Sequence, residues 1–207
     1  MRMSSPLSTA KRRVPTQDRS AERVRSILQT AADLVAEVGY DQVTMTAVAE
    51  RAEGSIGSLY QYFPDKSAIM QALFAQYGAE MDERWTPLID VIASLSPAEI
   101  ADRLVDLLAD FIDMRPAYLA LFDAPLKLSR SAAARDRLRS RMAEAFAAHQ
   151  PKLSKKQTRL TANVTIQILK GFGVLYARSR AEEKANLVRE NKFALTAYLN
   201  ARFQSPA

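Results

Sequence analysis

The chain has no cysteine, which excludes disulfides, thiolate nucleophiles and thiolate metal sites. It has a single histidine, His149, beside Gln150 and Pro151 at an expected helix end. A solvent-facing position suits that residue better than metal ligation or proton transfer. No apolar run approaches the roughly 20 residues that a membrane span requires. The N-terminus also lacks the apolar core of a signal peptide, so the expected location is cytoplasmic, with no membrane partner. No paired carboxylates, phosphate-cradling glycine loop or Ser–His–Asp set stands out. An enzyme is therefore not expected, nor is a cofactor or a metal. From Pro87 to the end there is no strand alternation, and the expected class is all-α.

What the chain does contain is an ordinary core and an excess of positive charge. Its 207 residues are 48% hydrophobic and 25% charged, enough for one large domain or two small ones. The 29 Lys and Arg against 23 Asp and Glu leave a net charge of +6, which fits a polyanionic partner. Much of it sits at the start, where Arg2, Lys11, Arg12, Arg13, Arg19, Arg23 and Arg25 face only Asp18 and Glu22. The opening stretch is rich in Ser, Thr and Pro, and residues 1–17 are expected to be a disordered basic arm. Such an arm is either a solvated tail or an added contact to phosphates and the minor groove. On the polar side of the first helix, Arg23 and Arg25 are read as solvated.

A first helix is expected from near Asp18 or Ser20. Val24, Ile27, Leu28, Ala31, Leu34, Val35 and Val38 trace one apolar face, and Gly39 closes it. Two short helices joined by a tight turn follow between Thr44 and Phe63. Thr44 caps the first of them, and Met45, Val48, Ala49 and Ala52 recur on one face. Ser55 caps the second, which buries Leu59 and Phe63 while Ile56, Gly57, Ser58, Gln61 and Tyr62 point elsewhere. Small and polar residues at a helix start, followed by tyrosines, suit a helix whose N-terminus meets base edges while phenols reach phosphates. The unit reads as a helix-turn-helix. Pro64-Asp65-Lys66 opens a long connecting helix through Ile69, Met70, Leu73, Phe74, Tyr77, Met81 and Trp85. Beyond it, helices are expected near residues 88–93, 98–113, 116–122, 132–148, 155–180 and 184–203. Pro97, Pro116, Pro125 and Pro151 fall between them or at their starts.

Gly39-Tyr40, Thr44, Val48-Ala49, the run Ser55 to Phe63 and Asp65-Lys66 together resemble the N-terminal signature of the tetracycline-repressor (TetR) family. The resemblance covers about the first third of the chain, and its spacing holds from Gly39 to Lys66. It implies a helix-turn-helix domain over residues 18–66 and a helical regulatory and dimerisation domain over 67–207. It also implies a homodimer on a palindromic operator, acting as a repressor released by a small-molecule inducer of hydrophobic or amphipathic character. Ser55, Ile56, Gly57 and Ser58 are then candidates for base contact. Thr44, Thr46, Tyr60, Tyr62 and Lys66 are candidates for phosphate contact. A DNA-binding architectural or nucleoid-type protein of the same fold, without an inducer, is the alternative.

The aromatic and apolar cluster Leu108, Phe111, Met114, Tyr118, Phe122 and Phe146 is either plain core or a ligand cavity on residues alone. The resemblance implies an inducer pocket there, with Asn163 and Gln167 as polar anchors. The apolar faces of the last two helices pack on their own domain, on a second copy, or on both. The resemblance implies a four-helix dimer interface through Val164, Ile168, Phe172, Leu175, Leu195, Tyr198 and Leu199. Gly171 and Gly173 in the first of them are unfavourable for a helix, and are explained by the close approach of another helix or by an opening beside a pocket.

The turn departs from the family pattern. Where the family reads Ala-Gly-Val-Ser, this chain reads Ala52-Glu53-Gly54-Ser55. Register favours Glu53 in the left-handed conformation, with Gly54 leaving a gap that valine would fill.

Overall fold

The computed structural model describes residues 16–121 and 132–204. The basic arm therefore falls outside the described residues, except for Thr16 and Gln17, which already belong to the first helix. In chain order the helices are α1 (Thr16–Val38), α2 (Met45–Arg51), α3 (Ile56–Tyr62), α4 (Lys66–Val91), α5 (Pro97–Met114), α6 (Ala117–Ala120), α7 (Ala132–His149), α8 (Lys155–Arg178) and α9 (Ala181–Gln204). A 3-10 turn, Ile92–Ser94, follows α4, and no strand occurs among the described residues. The chain is all-α, with an N-terminal helix-turn-helix unit and a C-terminal helical region.

Helix starts follow the local sequence. Ser96 with Glu99, and Ser154 with Gln157, form reciprocal capping boxes that satisfy the first amides of α5 and α8. Asp65 caps α4 by accepting from the Ala68 amide at 2.8 Å. One expected break is absent. A separate helix was expected from residue 88, but α4 continues through Pro87 to Val91. A proline inside a helix costs about 3 kcal/mol. Here Trp85, Leu88 and Ile89 stay buried on both sides of it, and α7 clamps the same turn. Arg141 of α7 donates to Thr86 Oγ1 at 2.7 Å and to Asp90 at 2.8 Å. Packing overrides the local breaker, and α4 becomes one rod of 26 residues, about 39 Å long.

In the C-terminal region α7 lies on α8, α5 lies on α9, and α8 touches both α5 and α9. At the Met114 end of α5 the three helices α5, α8 and α9 are clasped by Asp113. It accepts from the Tyr176 hydroxyl at 2.7 Å and from Lys184 Nζ at 2.5 Å, while Lys184 also lies 4.4 Å from the Tyr176 ring centroid. Burial pushes the Asp113 carboxyl upward, but the bonds from Lys184 and Tyr176 outweigh it, and the net shift is below the ordinary value. Burial, and then the Asp113 carboxylate, push the Tyr176 phenol up to about 12, so it remains a donor.

Tyr176→Phe is expected to remove a bond to a charged acceptor and lower the unfolding temperature by a few degrees. A depressed carboxyl stabilises the fold above its unfolded pKa of about 3.9 and loses that contribution as pH falls through the lower folded value. Thermal unfolding between pH 2 and pH 5 should therefore show an acid-induced loss that shrinks in Asp113→Asn.

Candidate nucleic-acid interface

At seven residues each, α2 and α3 are too short to be stable alone, and a common floor holds them. Val48 and Ala49 of α2, together with Leu59 and Phe63 at α3, are buried with Ile27, Ala31 and Val35 of α1 and Ile69 and Met70 of α4. Both caps form as expected. Thr44 Oγ1 accepts from the Ala47 amide at 3.1 Å, and Ser55 Oγ accepts from the Ser58 amide at 3.1 Å.

The turn has the geometry of a Schellman motif. The Gly54 amide donates to Ala49 O at 2.9 Å and the Glu53 amide to Glu50 O at 3.1 Å. Glu53 is in the left-handed region at φ 52°, the one non-glycine residue so placed among the described residues. The expectation for Glu53 holds. The gap expected at Gly54 does not exist, because the Arg23 guanidinium of α1 occupies that space. Arg23 Nη1 donates to Ala52 O at 2.6 Å. Arg23 is thus half-buried against the turn rather than solvated. Arg51 likewise binds back to α1, with both of its terminal nitrogens on the Glu37 carboxylate at 2.5 and 2.7 Å.

With the core and the caps accounted for, the outward side of the unit carries Thr44, Thr46, Ser55, Ile56, Gly57 and Tyr60, all exposed, and a half-exposed Ser58. Ile56 is 41% exposed and Tyr60 51%, large apolar surface at the start and middle of one short helix. An alanine methyl at Gly57 would meet no atom within 4 Å, so the α3 backbone is open to approach there. Tyr62 is half-buried against the core and presents less than Tyr60. Lys66 differs from a free phosphate contact. Its ammonium donates to the carbonyls of Tyr40 and Asp41 at 3.2 and 3.3 Å and lies 4.4 Å from the Tyr40 ring centroid. It ties the α1–α2 connection to the start of α4.

Residues 27–73 match the family model described as bacterial regulatory proteins, tetR family. Residues 96–199 match that of the tetracyclin repressor-like C-terminal domain. The chain belongs to the TetR family. Among TetR-family relatives, the repressor KstR of Rhodococcus jostii is 40% identical over 63 residues, which are 30% of this chain and 30% of KstR. The repressor Rv3405c of Mycobacterium tuberculosis is 30% identical over 104 residues, half of each chain. The chain thus spans half or less of the length of the curated relatives it matches. In fold it resembles a TetR-family regulator from Streptomyces coelicolor, with a TM-score of 0.64 at 24% identity over 88% of this chain and 98% of that one. It also resembles a TetR variant from Acinetobacter baumannii solved in complex with minocycline, with a TM-score of 0.60 at 16% identity over 93% and 99%. The family is one of bacterial regulatory proteins.

Within this TetR-family chain Leu108, Phe111, Tyr118 and Phe146, four of the residues expected to line an inducer pocket, are buried in one apolar core. Phe111 and Tyr118 belong to a packed aromatic cluster with Tyr77 and Phe74. Phe111 lies edge-on to Tyr118 at 5.0 Å between ring centroids and to Tyr77 at 6.3 Å. Leu108 is buried, with its Cδ2 3.6 Å from where a side chain on Gly173 would begin. Phe146 makes its ring contact with Phe203 at 5.4 Å. Met114 and Gln167 lie on the outside, and Met114 Sδ accepts from Arg84. Phe122 falls outside the described residues. His149 is not solvent-facing, since its ring lies 4.5 Å from that of Phe203 and its Nδ1 is buried without a partner. Asn163 Oδ1 and Thr165 Oγ1 are also buried and unpartnered, and Thr165 was missed. An outlying polar residue at helical pitch among apolar ones, as in Thr158, Thr161 and Thr165, was the available signal.

The interface residues also divide. Phe172, Leu195 and Leu199 are buried inside the protomer, on the sides of α8 and α9 that face their own domain. Val164, Ile168 and Tyr198 are half-buried, and only Leu175 is well exposed, at 53%. The outward side of α8 instead carries Leu160, Gly171, Val174 and Leu175. That of α9 carries Phe193, 72% exposed, with Ala194, Ala197 and Ala201. Gly171 faces open space while Gly173 packs on Leu108 and Ile112, so the two glycines serve different surfaces.

Two outcomes are expected from this geometry. Glu53→Gly should relieve roughly 1–2 kcal/mol of left-handed strain and raise the unfolding temperature. Lys66→Ala should lower that temperature as well as DNA affinity. An affinity loss without any stability loss would mean that its bonds to Tyr40 and Asp41 are idle.

Proposed function

We propose that the protein is a homodimeric repressor that binds a palindromic operator through α3 and is released by a small molecule. The single observation that carries the DNA reading is the first turn of α3. Ile56, Gly57 and Ser58 face outward while Leu59 and Phe63 fasten the helix from behind. Main-chain and apolar groups there can follow base edges and thymine methyls, with Tyr60 and Thr46 beside them for phosphates. The region over residues 18–66 would be the DNA-binding domain and 67–207 the regulatory and dimerisation domain. No helix among the described residues is long and apolar enough to cross a membrane, in keeping with a cytoplasmic place beside DNA.

Dimerisation is supported by the outward apolar side of α8 and α9. Leu160, Val174, Leu175 and Phe193 are large apolar groups left in water by the protomer. A two-fold pairing would bury them against their own counterparts. The effector is supported by the buried, unpartnered Asn163 Oδ1 and Thr165 Oγ1. Such groups call for a partner, and an amphipathic molecule among the apolar residues of α5, α7 and α8 would supply one. Its binding would shift the separation of the two α3 helices away from half-sites about 34–36 Å apart, with a reciprocal coupling of about 1–3 kcal/mol.

Purified protein is expected to bind a selected palindromic duplex as a dimer, with strong salt dependence, and to bind random duplex far more weakly. Equal affinity for both in physiological salt would favour the architectural alternative instead. Leu175→Glu and Phe193→Glu alter exposed positions, so each should stay folded yet sediment as a monomer at micromolar concentration. If both variants remain dimeric, the seam lies elsewhere.

A further inference from the structure

We propose that Arg23 is a positioning residue for the recognition helix, its guanidinium seated in the space that glycine leaves at position 54 and locking the turn between α2 and α3. Glycine at position 54 is not required by the backbone. Among the described residues only Gly39 and Glu53 have positive φ, so residue 54 lies in a region open to any side chain. What glycine provides there is room. A methyl added at Gly54 would overlap Arg23 Nη2 and lie 3.1 Å from Arg23 Cζ, whereas the nearest main-chain atom, Ala49 O, is 3.9 Å away. The crowding comes from Arg23 alone.

The seat has a purpose at each end. Arg23 Nη1 donates to Ala52 O at 2.6 Å across 29 residues of sequence. That carbonyl belongs to the C-cap of α2, where carbonyls lack helical partners and the helix dipole favours a cation. Glu53 and Gly54 spend their amides on Glu50 and Ala49, which closes the turn from the α2 side only. Arg23 closes it from α1. The next residue, Ser55, is the N-cap of α3, so the arginine holds the joint that aims Ile56, Gly57 and Ser58. Valine at 54 and arginine at 23 are thus alternative fillings of one space, and each is favourable only when the other is absent.

The inference rests on the DNA-binding reading only for its last readout. The full-length wild type, Arg23→Ala, Gly54→Val, the double variant and Arg23→Lys are compared. Their unfolding temperatures, the amide exchange of Gly54 and the affinity for a duplex that wild type selects from a random pool are measured. Arg23→Ala should lower the unfolding temperature by a few degrees, speed Gly54 exchange and weaken duplex binding about tenfold, with the salt slope unchanged. Gly54→Val should bring no gain in the presence of Arg23, because it evicts the guanidinium. In the Arg23→Ala background it should raise the unfolding temperature, slow exchange at position 54 and recover most of the affinity. Arg23→Lys keeps a donor and should recover part of each loss.

The same shift on adding valine in both backgrounds would overturn the proposal. So would a salt slope reduced by about 1 per protomer in Arg23→Ala, which marks a phosphate contact. If selection returns no preferred duplex, the operator reading fails, while the unfolding and exchange arms still decide the lock.

Discussion

The outward surface of the helix-turn-helix depends on an inequality of scale: helices of seven residues cannot hold themselves, yet they must hold a fixed angle. The burial of Leu59 and Phe63 beneath α3 resolves it. Fully burying each such side chain is worth about 1.5–3 kcal/mol, and the two together outweigh the roughly 1–2 kcal/mol of strain at Glu53. The turn can therefore tolerate an unfavourable residue without losing its shape. The floor that receives these side chains is shared with Ile69 and Met70 at the start of α4. Anything that reorients α4 must reorient α3 with it, because the two are sides of one core.

Much of this unit was legible in the residues. Thr44 and Ser55 announce their helices by chemistry that acts within three residues, and both caps form. The positive φ at Glu53 followed from the resemblance to the family's turn, whose register a slip would have broken by turning the whole of α3. Helix positions in the C-terminal region were legible for a similar reason. Proline, capping boxes and a 3.6-residue period are local signals, and α5, α7, α8 and α9 begin and end close to where those signals lie.

What was not legible depends on facing partners. Periodicity identifies an apolar side of α8 and α9 but not what covers it, and these helices have apolar residues on two sides. Phe172, Leu195 and Leu199 were expected at a dimer interface, yet they are buried within their own chain. Pro87 reads as a stop because its cost is local, while the Arg141 clamp that offsets it comes from 55 residues beyond Thr86. Lys66 and Arg23 read as solvated or phosphate-directed cations because a main-chain carbonyl acceptor leaves no mark in a sequence. The ring contacts that Phe111 of α5 and Tyr118 of α6 make with Tyr77 and Phe74 of α4 leave no mark in the sequence either. Those contacts join the C-terminal region to the helix that follows the helix-turn-helix unit.

In a homodimer built on this face, as proposed above, the smallness of the outward residues on α9 would have a consequence for choice of mate. Ala194, Ala197 and Ala201, with Gly171 on α8, would let two backbones come near the lower end of the 8–10 Å typical of packed helices. At that spacing Phe193 becomes a key that fits only a lock with no side chain in its way. A different regulator of the same architecture, carrying leucines or arginines along that seam, would be held off by its own bulk. Discrimination of this sort needs no attractive contact unique to the correct pair, since exclusion of the wrong one suffices. The alanines would then act as a password by omission, keeping this chain paired with itself where many proteins share its fold.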